Sequence, residues 1–166
     1  MNKNAFAIAL GLLAAAGAGS AAAQSCASPS TIPLVGGNTH TANGDTCASS
    51  NQLGTLCGAF SSPENDVIYR FNIDNTRTAT SITLSTTTAT WNPAMLYLSG
   101  SCGGGVSCAD VADSNNAGAS ETMMAPTANG TYYLVVTSSP GSGGCGAFTL
   151  NAFGRLPVAL QNFSID

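Results

Sequence analysis

The sequence predicts an all-β fold, an antiparallel sandwich or barrel cross-linked by disulfides. Three observations predict it. Apolar and polar residues alternate at period two in one segment after another, Gly/Asn/Pro turn signals separate those segments, and six cysteines fall in a chain that opens with an export leader. No window beyond the leader carries the 3.6-residue period of an amphipathic helix.

The elements follow in order along the 166 residues. Residues 1–23 read as a secretory signal peptide: Lys3 supplies the charged start, Ala5 to Ala16 the short apolar middle, and Ala21-Ala22-Ala23 the small-residue cleavage site before Gln24. The apolar middle is too short for a membrane span, which needs roughly 20 residues. Lipid modification at Cys26 is the weaker alternative, because Ala23-Gln24-Ser25 lacks the expected leucine and places Gln where a small residue belongs. Residues 24–63, rich in Gly, Ser, Thr, Asn and Pro, are expected to pack on the domain as a disulfide-linked segment of loops and short strands.

From residue 64 to 166 the pattern becomes that of a sandwich. Val67, Tyr69, Phe71 and Ile73 alternate with Ile68, Arg70 and Asn72, the signature of a half-buried strand. Thr80 to Thr86 places Ile82 and Leu84 among hydroxyl residues, and β-branched threonines favour extended backbone there. Further strands are expected at Met95 to Ser99, Ser120 to Met124, Thr131 to Thr137, Ala147 to Phe153 and Val158 to Ile165. Asn129-Gly130 and the stretch Pro140 to Gly144 are turn signals between them. The segment 156–166 is read as a C-terminal edge strand, or as a strand donated to a neighbouring molecule.

Charge narrows the function classes. Only 7% of residues are charged, against roughly 25% in an average soluble protein. Loss of Lys3 with the leader leaves Arg70, Arg77 and Arg155 as the only Lys or Arg residues, making the exported chain one unit more negative than the −4 of the full sequence. Such a chain has no cationic footprint for nucleic acid. It has no lysine for a Schiff base, a P-loop or a Lys–Asn isopeptide staple.

An even cysteine count in an exported chain points to three disulfides, for which 15 pairings exist in principle. Loop-closure entropy favours near neighbours, so Cys102–Cys108 across Gly103-Gly104-Gly105 is the expected first pair and Cys47–Cys57 the second. Cys26–Cys145 then remains. A zinc site is disfavoured, because no C-x-x-C occurs and His40 is the single histidine.

Four segments carry a family resemblance. Pro63 to Phe71 (PENDVIYRF) resembles the D-V-x-Y-x-F strand that opens bacterial pre-peptidase C-terminal (PPC-like) domains, and Trp91 to Leu98 (WNPAMLYL) is similar to their W-D-P-x-L-Y-L stretch. Asn129 to Val136 (NGTYYLVV) resembles A-G-T-Y-Y-L-V-V, and Gly146 to Leu150 (GAFTL) the closing G-x-F-T-L strand. The four occur in the family order over about half the chain. The resemblance implies a β-sandwich of jelly-roll type, of the kind that accompanies secreted proteases; with no catalytic domain attached, this chain looks like a stand-alone relative.

No catalytic constellation emerges. His40 lies in a Gly/Asn/Thr stretch with Asp45 nearby, yet no G-x-S-x-G elbow identifies a nucleophile, and an even cysteine count leaves no free thiol. Asp110, Asp113, Asn115 and Glu121 offer hard oxygen ligands of the kind calcium prefers, and Glu64 with Asp66 a second group; some relatives of the resembled family bind calcium. The competing reading of both groups is an ordinary solvated turn. Trp91, Tyr97 and Tyr133 are candidates for an aromatic strip on which sugar rings stack, against the competing reading that strand-period aromatics fill the core. The sequence thus points to a secreted, non-catalytic module that binds an extracellular protein or polysaccharide, or alternatively to a fibre subunit that assembles with copies of itself by terminal strand exchange. No cofactor beyond calcium is implied.

Overall fold

Among the described residues eleven strands follow one another and no α-helix occurs. The structure is a computed structural model describing residues 24–34, 37–57, 60–61, 64–74, 78–103 and 108–155. The leader and the expected strand 158–165, with the whole 156–166 tail, lie outside the described residues. In chain order the strands are β1 (Ser30–Thr31), β2 (Thr39–Asp45), β3 (Thr55–Leu56), β4 (Phe60–Ser61), β5 (Val67–Ile73), β6 (Thr78–Thr86), β7 (Pro93–Ser99), β8 (Cys108–Ala112), β9 (Glu121–Met124), β10 (Gly130–Ser138) and β11 (Ala147–Arg155).

Two sheets form a sandwich, and a small β3–β4 hairpin stands apart from them. The first sheet has the order β1-β5-β10-β7-β8 and the second β2-β11-β6-β9. All pairings are antiparallel except β1 with β5. From β5 to β11 the chain crosses repeatedly between the sheets, as the connections of a jelly-roll-type sandwich do. The four segments that resemble the pre-peptidase strands lie in or beside β5, β7, β10 and β11.

The space between the sheets is filled by inward-facing residues of both. Tyr69, Phe71 and Ile73 of β5, Leu134 and Val136 of β10, and Met95 and Tyr97 of β7 meet Ile82 and Leu84 of β6 and Phe148 and Leu150 of β11. Phe71 meets Tyr97 edge-on at 5.5 Å between ring centroids and stacks on Tyr132 at 5.7 Å. Such aromatic pairs contribute about 0.5–1.5 kcal/mol each beyond the area they bury. Trp91, just before β7, is buried beside Phe148 and donates its indole N–H to Ser138 Oγ at 2.9 Å. Gly146 is required beneath it, since a Cβ there would lie 2.5 Å from Trp91 Cε3.

The first sheet is buried on its other face as well. Ile68, Leu96, Leu98 and Val135 point away from the sandwich and form a second core with Leu53, flanked by Tyr133 and by Cys26, Cys57, Cys102 and Cys108. This explains why β5, β7 and β10 carry longer apolar runs than plain alternation allows. The N-terminal segment supplies the cover: Ile68 N–H donates to Gln24 O at 3.1 Å, and Asp66 N–H to Ser50 O at 3.1 Å. Residues 24–63 therefore do more than wrap the domain, because they also contribute β1 to one sheet and β2 to the other.

The expected cysteine pairing is corrected at every position. The disulfides are Cys26–Cys102, Cys47–Cys145 and Cys57–Cys108, with Cα separations of 5.4, 4.9 and 4.9 Å, all in the ordinary range for a bridge. Loop-closure entropy favoured Cys102–Cys108 and Cys47–Cys57, but tertiary placement decides. The β2–β11 ladder pairs Asp45 with Ala147; continued past Thr46 and Gly146, which exchange hydrogen bonds, it brings Cys47 opposite Cys145. Cys26 and Cys57 lie on the cover, Cys108 on the sheet beneath it and Cys102 in the loop just past β7, so two bridges fasten one to the other.

Mass spectrometry of an unreduced digest is expected to recover these three linkages and no peptide joining Cys102 to Cys108. Replacing Cys47 and Cys145 together should lower unfolding stability by on the order of 4 kcal/mol through the lost chain constraint, read as a shift of the urea midpoint.

Candidate functional site

The acidic residues singled out in the sequence are held by their own surroundings. Glu121, at the start of β9, is buried and accepts from the Asn115 backbone N–H at 2.7 Å and from Asn115 Nδ2 at 3.4 Å. It fastens the 113–120 loop to the sheet. Asp113 accepts from Ser139 Oγ at 3.1 Å, and Asp110 from the Val111 N–H at 2.9 Å. Among the described residues no three His, Cys, Asp or Glu side chains come together as a metal would require. Asp110, Asp113 and Glu121 each serve a local backbone or hydroxyl group, and Asn115 is held by Glu121.

Asp66 has a similar structural task. Fully buried, its Oδ2 accepts the backbone N–H groups of Gln52 at 2.9 Å and Leu53 at 3.0 Å, which sets Leu53 over the outer core. Burial raises its carboxyl above the ordinary 3.8, while the Gln52, Thr137 and Leu53 hydrogen bonds oppose that rise. Glu64 is half-buried nearby in the sequence but is not brought into any such group of three.

The aromatic strip does not form. Trp91 and Tyr97 are buried in the inter-sheet core, and Tyr133 is half-buried on the opposite face of the first sheet against the outer core. The physical reason is that Tyr97 and Tyr133 belong to strands covered on both faces, so neither side of those strands can present a platform. His40 lies on β2 opposite Ala152, half-buried.

The second sheet is different, because among the described residues its outer face is open. Alternation along β2, β11, β6 and β9 turns Ala42, Leu150, Leu84 and Met123 inward, and brings polar residues into rows across the strands. One row runs Thr41, Asn151, Thr83, Thr122; the next runs Asn43, Thr149, Ser85, and continues to Ser120. Neighbouring strands stand about 4.8 Å apart and successive rows about 7 Å. No residue in either row is charged.

Hydrogen bonds tie the rows together. Thr41 Oγ1 donates to Asn151 Oδ1 at 2.8 Å and Thr149 Oγ1 to Asn43 Oδ1 at 2.8 Å; Thr83 and Thr122 hydroxyls lie 3.0 Å apart, and Ser120 Oγ donates to Ser85 Oγ at 3.2 Å. Each threonine–asparagine bond fixes the amide orientation, so that donors and acceptors sit at set places before any ligand arrives. A shallow trough of about 250 Å³ opens among Asn43, Ser85, Thr87, Ala147 and Thr149. At the other end of β11, Phe153 projects 41% exposed. The alternation that turns Phe148, Leu150 and Ala152 inward was the signal that could have found Phe153, the exposed aromatic that the sequence reading overlooked.

No protein-family model matches the chain, and no curated protein matches it in sequence.

Asp66 yields a pH-dependent expectation. A carboxyl raised in the folded state contributes stability that is fully present below its ordinary value of 3.8 and lost as pH rises through the raised folded value. The stability of the native protein relative to Asp66→Asn should therefore improve as pH falls from 7 toward 4. Asp66→Ala, which strands two buried N–H groups, should cost about 1–3 kcal/mol at either pH. Urea unfolding of the three proteins at several pH values measures both effects.

Proposed function

We propose that this chain is an exported, non-catalytic binding module, a relative of pre-peptidase C-terminal domains, whose ligand is a neutral extracellular polysaccharide. The observation that carries this reading is the pair of uncharged rows of Thr, Ser and Asn on the outer face of β2-β11-β6-β9, beside exposed Phe153. Hydroxyl and amide groups each offer donors and acceptors, as sugar hydroxyls do, and a neutral ligand brings no ion to desolvate. Phe153 offers an apolar ring for the C–H face of a sugar. Three disulfides fit an oxidising compartment outside the cytoplasm, and among the described residues no helix is long and apolar enough to cross a membrane.

Retention on a panel of neutral polysaccharides should be seen and should survive 1 M salt, because screening weakens only charge-driven binding. Phe153→Ala and the double variant Asn43→Ala/Thr149→Ala should each weaken binding about tenfold, near 1.4 kcal/mol, with unchanged unfolding midpoints. Retention on charged polymers alone, lost in salt, would overturn the reading.

A second reading, a fibre subunit assembled by terminal strand exchange, is favoured by one feature. β8 and β9 end their sheets as neighbouring edges, with Val111 41% and Met124 68% exposed, and such edges accept an added strand. Light scattering on a sizing column decides between them: a one-chain mass supports the monomeric module. A concentration-dependent polymer that disappears on deletion of 156–166 supports the fibre.

A further inference from the structure

Where β8 and β9 meet at the open side of the sandwich, a pocket of about 210 Å³ enters between the sheets, lined by Tyr97, Asp110, Ala109, Met124 and Pro126 among others. One water occupies roughly 30 Å³ of liquid, so a short organic group fits. The register of β7 and β8 shifts between Tyr97 and Leu98, and the extra residue leaves Asp110 paired directly with Tyr97. Cross-strand partners share a face of the sheet, so the carboxylate and the phenol are brought to one pocket. Tyr97 is 0% exposed, yet among the described residues its hydroxyl has no hydrogen-bond partner. A phenylalanine would fill the same space without that unsatisfied oxygen, and a buried polar atom left so calls for a reason.

We propose that this pocket binds a primary ammonium group carried on a short apolar stem. An ammonium has three donors and no acceptor, so it can donate to the Asp110 carboxylate and to the Tyr97 oxygen together. Ala109, Met124, Ala125 and Pro126 supply the apolar wall for the stem. No Lys, Arg or His lines the pocket, and the chain's net charge of −4 favours the approach of a cation. Burial, and next the Asp110 charge, push the Tyr97 phenol above its ordinary value, so the hydroxyl stays protonated and neutral beside the carboxylate. The site is separate from the sheet face proposed to bind polysaccharide, and either can stand without the other.

The test is an amide-resolved NMR titration of the oxidised, exported protein with n-butylammonium, n-butanol and Nα-acetyl-lysine methylamide. Butylammonium should shift Ala109, Asp110 and the 124–127 segment, leave Asn43 and Thr149 unmoved, and weaken with added salt. Asp110→Asn, at an exposed position, should weaken it about tenfold. Tyr97→Phe should weaken binding while raising the unfolding midpoint of the free protein, which a purely structural tyrosine would not do. Tighter binding of the lysine derivative than of butylammonium would assign the amine to a protein side chain, and equal binding to a free amine. Butanol binding as well as butylammonium, or unchanged affinity in Asp110→Asn, would overturn the proposal.

Discussion

The architecture depends on one constraint: the sheet formed by β5, β10 and β7 is apolar on both faces and has to be covered twice. Ile68, Leu96, Leu98 and Val135 point away from the sandwich and would otherwise lie in water. Burying a side chain of that size contributes roughly 1.5–3 kcal/mol, so exposing four of them would erase much of a small domain's margin. The cover is a low-apolar segment, with Leu53 as its main anchor, and it could not hold through packing alone. Two disulfides and the Asp66 carboxylate supply what its composition lacks.

That arrangement divides labour between the sheets. The strands β5, β10 and β7 leave no open face of their own, because most of their side chains are packed on both sides. The four-stranded sheet buries only one face, which frees the other for hydroxyl and amide groups ordered by cross-strand bonds. Trp91 connects the parts: its N–H meets Ser138, its carbonyl accepts from Gly118, and its ring rests on Gly146. The sandwich stays open at the β8–β9 side, where the strands are short and the Tyr97–Asp110 pocket enters.

Strand positions were legible because period-two alternation is a local property. The expected strand Ala147 to Phe153 is β11 but for its last two residues, and Thr131 to Thr137 lies one residue inside each end of β10. β2 escaped notice because its sequence, THTANGD, holds turn formers and almost no apolar residue; as an edge strand it buries little and is held by the ladder to β11. β8 looks like an acidic loop in sequence for a similar reason, since three of its five residues are exposed. The outward hydroxyl rows were present in the alternation, but which strands lie side by side was not.

The amino-acid order by itself determined the all-β character, most strand boundaries, the near absence of charge and the even set of cysteines. These follow from side-chain alternation, β-branching and composition, which act within a few residues. Tertiary structure alone decided the disulfide partners, the second burial of the β5–β10–β7 sheet, and the burial of Trp91 and Tyr97. Each of those depends on contacts between segments far apart in the chain, such as Cys47 with Cys145 across 98 residues. Loop-closure entropy disfavours long connections only logarithmically. A few kcal/mol from an extended ladder and a shared core therefore outweigh the local preference of neighbouring cysteines for each other.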